Sequence, residues 1–470
     1  MSKGGEYRKW YGNIEYVVNW ERDGEEIRHF VWTKGPRRGK LRSRPQNMDT
    51  YFRPYVGWSA ISSGEFAMRY YPEGFIANAK GPGCFASDLA TLEYVLALMN
   101  SSTVQAFLRI VAPTLDYSQG PIGRIPVRLE GNESQIQGLV EQDVLLARTD
   151  WDSFETSWDF TTHPLCQPGE PLIEKQFARW SSECRERFDT LKANEEELNR
   201  IFARIYHMEG EVPIEVPDDK VSVRLADEKR DVKSLISYGV GCIFGRYSTD
   251  KPGLILADAG QTAEDYRAKV PQSGFAIDED AVLPVIGLED VSLDDDIVRR
   301  FRSWLVYAYG SDALDANVSY IEGVLGKDLR AYFAKDFYKD HCDTYSVQGS
   351  GKRPIYWMFS SPRGSFQALV YMHRMNRDTV SCVLTEYVRP FRQRLLAQIG
   401  VLRATGAARD AAKADKYQAM VDELEGWERD VLYPLSQKHV QIDLDDGVRH
   451  NYKLFRTDGG DALAKVSGLS

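Results

Sequence analysis

The sequence predicts a mixed α/β (α+β) protein, a β-rich module followed by a helical spacer and a helix-rich C-terminal domain. Three observations carry this expectation. The first 128 residues hold short aromatic-rich runs broken by Gly, Pro and Asn, the pattern of strands and turns. From about residue 133 apolar residues recur at helical spacing over long stretches. A chain of 470 residues that is 43% hydrophobic and 12% aromatic can also bury more than one core. The expected boundaries are a module at 1–130, a spacer at 131–210, a mixed helix and hairpin region at 211–375 and a helical region at 376–470.

Taken in order, EYVVNW (15–20), IRHFVW (27–32), FAMRYY (66–71) and GFIANA (74–79) read as strands. A helix is expected from Ser87 to about Ile110, with Leu89, Leu92, Val95, Leu96, Met99, Val104, Phe107 and Leu108 on its apolar side. Residues 133–150 and 170–207 read as long amphipathic helices, the second through Trp180, Cys184, Phe188, Leu191, Leu198, Phe202 and Ile205. Helices follow at 292–309, 312–324 and 327–341, then a hairpin in which IYWMF and SFQALVYM flank Ser-Pro-Arg-Gly. Val380, Leu384, Tyr387, Phe391, Leu395 and Leu402 form one stripe, and Tyr417, Met420, Leu424, Trp427 and Val431 another. These are expected to pack as an antiparallel pair, with Pro390 kinking or interrupting the first.

Composition narrows the function classes. No run of about 18 apolar residues occurs and MSKGGEYRKW has no apolar leader, so a cytoplasmic location without membrane association is expected. Cys84, Cys166, Cys184, Cys242, Cys342 and Cys382 show no C-x-x-C pair, which suggests neither a zinc site nor a disulfide framework. The net charge is −10, but it is unevenly spread. Lys34, Arg37, Arg38, Lys40, Arg42, Arg44 and Arg53 face only Asp49, seven cations against one acid, a local net of +6. A cationic strip on an acidic body suits a protein that docks on phosphates at one place.

Catalytic signatures are missing. There is no Asn/Asp/Ser-Pro-Pro-aromatic tetrapeptide, the loop with which amino-methyltransferases hold a flipped base. Gly81-Pro82-Gly83 and Gly239-Val240-Gly241 are the nearest substitutes for a glycine-rich cofactor loop, and turn or helix-packing roles suit them better. Gly349-Ser350-Gly351-Lys352 has Arg353 where a phosphate loop needs Ser or Thr. His341-Cys342-Asp343 is expected to be structural, and Asp443–Gly447 a tight turn, since Gly447 replaces an oxygen ligand. His29, His163 and His207 lack ligand spacing. No catalytic or metal-binding residue is expected.

The loop GEYRKWYGN (5–13) gathers Arg8, Lys9, Tyr11 and Asn13, groups able to reach guanine, phosphate or adenine. A hydrophobic hairpin with solvated charges explains it equally well. VGWSAISSG (56–64) adds Ser59, Ser62 and Ser63, whose hydroxyls suit phosphate contacts. The expected DNA-binding set is therefore Arg8, Lys9, Tyr11, Asn13, Lys34, Arg37, Arg38, Lys40, Arg42, Arg44, Ser59, Ser62 and Ser63.

Seven stretches, in order along nearly the whole chain, resemble one family. They are GGEYRKWYGNIEYVVNWERDGEEIR, GWSAISSGEFAMRYYPEGFI, YVLALMNSSTVQAFLRIVAPTLDYSQGPIGRIPV, EEELNRIFARIYHMEGE, ISYGVGCIFGRYSTDKPGLILADAG, PIYWMFSSPRGSFQALVYMHRMNRDTV and QIDLDDGVRHNY. The family is the adenine-specific DNA methyltransferases of BREX (bacteriophage exclusion) and phage-growth-limitation systems, the PglX family. The resemblance implies an N6-adenine methyltransferase whose S-adenosylmethionine-binding catalytic domain precedes these segments, with target recognition and a helical region after it. This chain would then be the recognition and C-terminal part, inactive alone. Its partners would be double-stranded DNA, a methyltransferase catalytic domain in cis or in trans, and other BREX proteins. Two alternatives stay open: the recognition portion of a fused restriction-methylation enzyme, or a docking platform for defence partners or a DNA-mimic inhibitor. The strip at 34–53 is not among the matching stretches, so its assignment stands on charge.

Overall fold

The computed structural model describes every residue except 34, 44, 63, 115, 131, 348–350 and 470. It is mixed α+β, with small antiparallel sheets and a helix-rich C-terminal region. The chain forms two compact units, one from 1–157 and 181–226, the other from 158–180 and 227–470. The segment 131–210 has residues 158–180 in the second unit and the rest in the first. Its long helix Ile173–Ile205 begins in one and continues in the other.

In the first unit, strand β1 (Tyr55–Trp58) lies between β2 (Met68–Tyr71) and β3 (Gly83–Cys84), antiparallel to both. The N-terminal loop extends this sheet: the Trp10 N–H donates to Met68 O (3.0 Å) and the Tyr70 N–H to Trp10 O (2.8 Å). Trp10, Tyr55, Trp58, Met68 and Tyr71 are buried with Leu96, Leu98, Ile136, Leu191 and Phe202 in one core. Of the expected strands only FAMRYY pairs as one. Residues 15–20 and 74–79 form no strand, and 27–32 contributes only the bridge from Val31 to Leu41. Strand propensity records fit to a pleated surface, and these runs have no neighbouring strand to complete a ladder.

The expected helix from Ser87 is two helices, Leu89–Asn100 and Ser102–Val111, bent by 70°. Ser101 makes the break, because its hydroxyl donates to Leu98 O and accepts from the Val104 N–H, closing one helix and capping the next. Asn100 adds a tie to β2, bonding both the N–H and the C=O of Met68. The helix Glu133–Asp152 forms as expected.

The second unit contains the three-stranded sheet Val282–Pro284, Gln367–Tyr371 and Tyr356–Ser360, all antiparallel, with the expected hairpin as its main part. The helix Glu228–Ile243 was not anticipated from periodicity. Gly239 and Gly241 lie within it and let it pack closely: a Cβ on Gly239 would stand 2.7 Å from the Trp304 ring, and one on Gly241 2.6 Å from Tyr247. Ile297–Tyr309 and Leu314–Leu325 follow. The two C-terminal helices, Arg389–Ala404 and Ala408–Trp427, pack together through Phe391, Leu395, Tyr417, Leu424 and Trp427. Pro390 is preceded by a π-turn at Val383–Val388, and Pro434 by one at Glu428–Leu432. A widened turn lets the helix pass a residue that has no N–H to give.

Candidate nucleic-acid interface

The cationic strip is built on a short β-ribbon. The Trp32 N–H donates to Lys40 O (2.9 Å), the Gly39 N–H to Trp32 O (2.8 Å) and the Arg42 N–H to Phe30 O (2.7 Å), around the antiparallel bridge from Val31 to Leu41. Two further turn bonds, the Arg38 N–H to Gly35 O and the Lys40 N–H to Arg37 O, shape the tip. Gly35 and Gly39, both at φ +79°, supply the left-handed conformations that this tip requires. Arg37, Arg38, Lys40 and Arg42 are exposed, and among the described residues none has an acidic partner within ion-pair distance. Arg42 lies over the Trp32 ring at 4.6 Å and the Phe30 ring at 5.0 Å, which holds it on one face of the ribbon. Arg53 is exposed as well and donates to Ala86 O at 3.1 Å. Lys34, Arg44 and Ser63 lie outside the described residues.

The loop 5–13 is different, because its polar side chains turn into the first unit. Lys9 is buried, with Nζ 2.7 Å from the Glu195 carboxylate, whose other oxygen accepts from Trp10 Nε1 at 2.6 Å. Burial works against the Lys9 charge, but the Glu195 carboxylate outweighs it and the pKa is raised. Arg8 donates to Asp150 at 3.0 Å and lies over the Trp151 ring at 5.1 Å. Asn13 is buried and donates to Glu6 O, and Tyr11 is buried with Arg148 over its ring. Ser59 is buried too. It accepts from the Gly5 N–H and from Arg69 Nη2, and donates to Gly5 O. Arg8, Lys9, Asn13 and Ser59 therefore spend their polar groups inside the first unit, because a buried charge or donor must find a partner there. Ser62 is half-buried and accepts from the Gly64 N–H.

Sequence reasoning missed Glu195 and Asp150 as the partners of this loop, and Phe30 and Trp32 as the aromatic frame of the ribbon. Alternation of Phe30 and Trp32 opposite Lys40 and Arg42 was the available signal for the latter. No such signal links Lys9 to a residue 186 positions away.

Nor do the glycine pairs fit S-adenosylmethionine. Gly239 and Gly241 are closed off inside a buried helix, while Gly81 is packed against Ser2 and Gly4, and Gly83 against Tyr55. Neither pair leaves backbone N–H groups open to a ligand as a cofactor loop must. Among the described residues no group of His, Cys, Asp or Glu could hold a metal ion. His341 and Cys342 are buried, and Gly349 and Ser350 lie outside the described residues. Among the described residues no single helix is long and apolar enough to cross a membrane. The bent pair Leu89–Asn100 and Ser102–Val111 passes that test only jointly, and Leu96, Leu98 and Val104 bury it in the core of the first unit.

The chain aligns with the adenine-specific methyltransferase PglX of Lacticaseibacillus casei (strain Zhang) at 38% identity over 482 residues, covering 97% of this chain and 38% of that protein. The chain is similar to PglX along nearly all of its own length. The adenine-specific methyltransferase BrxX of Escherichia coli O9:H4 (strain HS) is 31% identical over 510 residues, covering all of this chain and 40% of that protein. The chain thus spans about two-fifths of the length of the curated relatives it matches. No family model matches it.

Proposed function

We propose that this chain is the DNA-recognition and C-terminal part of a PglX-type adenine-specific DNA methyltransferase acting in bacteriophage exclusion, and that the ribbon at 30–42 docks it on duplex DNA. The observation that carries this reading is the exposed ribbon with Arg37, Arg38, Lys40 and Arg42, none of them paired with an acid among the described residues. Exposed cations left without carboxylates are free to neutralise phosphates, and a two-stranded ribbon has the width to enter the major groove. The relatives, named as adenine-specific methyltransferases, support DNA as the partner. The burial of Lys9 and Asn13 moves the proposed contact from the loop at 5–13 to the ribbon.

Methyl transfer on this reading needs a catalytic domain, in cis or in trans, that binds S-adenosylmethionine and the target base. The chain's own residues supply attraction and register. Fluorescence anisotropy of a labelled duplex titrated with the chain tests the proposal. Saturable binding should be weakened strongly when Arg37, Arg38 and Lys40 are replaced together by Ala. Binding that is unchanged in that variant, or capture of an acidic protein in place of DNA, would defeat the proposal.

A further inference from the structure

The ribbon at 30–42 has two unlike faces. Its bridge sets Val31 opposite Leu41, and the flanking bonds, the Arg42 N–H to Phe30 O (2.7 Å) and the Trp32 N–H to Lys40 O (2.9 Å), make this a non-hydrogen-bonded pair. In such a pair the two side chains stand close together, with about 4.5 Å between the Cα atoms. Arg42 lies over both the Phe30 and Trp32 rings, so these three share one face, and alternation along each strand turns Val31 and Leu41 to the other. Two aliphatic side chains are thereby set side by side with no hydrogen-bonding group of their own. Both stay open to solvent, Val31 at 38% and Leu41 at 50% exposure.

A single exposed aliphatic residue needs no explanation, but this pair is fixed in place by the strands that lead to the cationic tip. Arg37 and Arg38 stand at that tip, exposed, with Lys40 just behind them. Where these cations meet phosphates, the strands are carried onto the same stretch of duplex. A ribbon lying in the major groove has phosphates along its flanks and base edges beneath it. Long side chains such as Lys40 and Arg42 reach the flanks, whereas Val31 and Leu41 touch only what lies under their own face. Among the groups on that floor the thymine C5 methyl is apolar, and the others are donors or acceptors. An aliphatic pair laid on a donor or acceptor takes water from it and returns no hydrogen bond, which is costly. Laid on a methyl group, the same pair buries apolar surface, which is favourable.

We propose that Val31 and Leu41 together form an apolar reader of thymine methyl groups in the major groove, which gives the ribbon a preference for thymine at the step it covers. This role rests on the proposed docking of the ribbon on duplex DNA and adds a base preference to it. A duplex that presents a target adenine holds at least one adenine·thymine pair, whose methyl group faces the major groove. The cations at the tip and on the opposite face supply attraction to any sequence, and the aliphatic pair supplies the discrimination.

The test starts from a duplex selected out of a random-sequence pool for tight binding to the full chain. It is then made in two forms, with thymine or with uracil throughout, which carry the same phosphates and differ only in the C5 methyl groups. The uracil form should bind about 4-fold more weakly for each methyl group that the pair covers, the loss expected for one buried carbon. A chain carrying Val31→Ser and Leu41→Ser should bind the two forms alike. Its dependence of affinity on salt should match the wild type, because Arg37, Arg38 and Lys40 are retained. A merely structural role in the ribbon would instead flatten that dependence and lower affinity for both forms by the same factor. If the double variant fails to fold, the wild-type comparison of the two forms decides. Equal binding of both forms by the wild type, or a double variant that keeps the thymine preference, would overturn the reader and leave the docking of the ribbon on DNA standing. No saturable binding to any duplex of the pool would overturn the docking, and the reader with it.

Discussion

Replacing Glu195 by Leu should unfold the N-terminal loop of the first unit more effectively than any surface change nearby. Glu195 is buried at 3% exposure, bound to the Lys9 ammonium at 2.7 Å and to the Trp10 indole N–H at 2.6 Å. Its removal leaves an uncompensated buried charge, which costs about 3–5 kcal/mol. The orphaned Trp10 donor places the loss toward the upper end, since an unmade buried hydrogen bond costs about 1–3 kcal/mol. Lys9→Met combined with Glu195→Leu removes both charges and should recover most of that loss, because an apolar pair of similar volume often replaces a buried ion pair with little change. Hydrogen exchange resolved by segment is the suitable assay, since the two compact units need not unfold together and a single global transition would mix them. Protection should fall at 9–11 and 68–71, the edge that Trp10 and β2 share. A loss below about 1 kcal/mol for Glu195→Leu would show that Lys9 is solvated and would return the loop to the list of DNA contacts.

Three further outcomes concern the second unit. His163 has its pKa pushed down to about 3 by burial, from 6.5. The unfolded chain therefore binds more protons between those values, and stability falls as pH drops below 6.5, by about 2 kcal/mol from this residue at pH 5. His163→Asn keeps an acceptor for the Leu165 N–H and should flatten that acid slope in urea titrations, whereas an unaltered slope would mean the ring is solvated. Gly239→Ala drives a Cβ to 2.7 Å from Trp304 and 2.8 Å from Phe301, both fully buried. The overpacking penalty of about 1–3 kcal/mol should exceed the helix propensity that Ala gains, so a Tm at or above wild type would refute the close packing. Leu424→Asp places a carboxylate between the C-terminal helices and should lower protection there by about 4 kcal/mol or more, with 55–71 unaffected. Equal loss of protection in both segments would show that the two units unfold as one.

The parts of the fold that were legible are those decided by near neighbours. The helix Ile173–Ile205 and the C-terminal pair carry apolar residues at steps of three and four, and the hairpin Tyr356–Tyr371 has its turn residues between two apolar runs. Glu228–Ile243 escaped because Gly239 and Gly241 read locally as turn residues, while the rings of Trp304 and Tyr247 that make small residues necessary are distant in sequence. The candidate site divides in the same way. The charge of the strip is visible in composition, and among the described residues Arg37, Arg38, Lys40 and Arg42 find no acids. Arg8, Lys9 and Asn13 have the same chemistry, but Asp150, Glu195 and the Glu6 carbonyl draw them inward, and two of those partners are more than 140 positions away.

Whether the ribbon's cations meet phosphates is measured directly by the dependence of duplex affinity on salt. Affinity of the chain for one duplex and for its scrambled version would be followed from about 50 to 200 mM salt, beside a variant carrying Arg37→Ala, Arg38→Ala and Lys40→Ala. Each phosphate contact contributes about 0.9 to the slope of log affinity against log salt, so losing three should flatten it by about 2.7, equally on both duplexes. An unchanged slope would place these cations in solvent and contradict the proposal that the ribbon docks the protein on DNA.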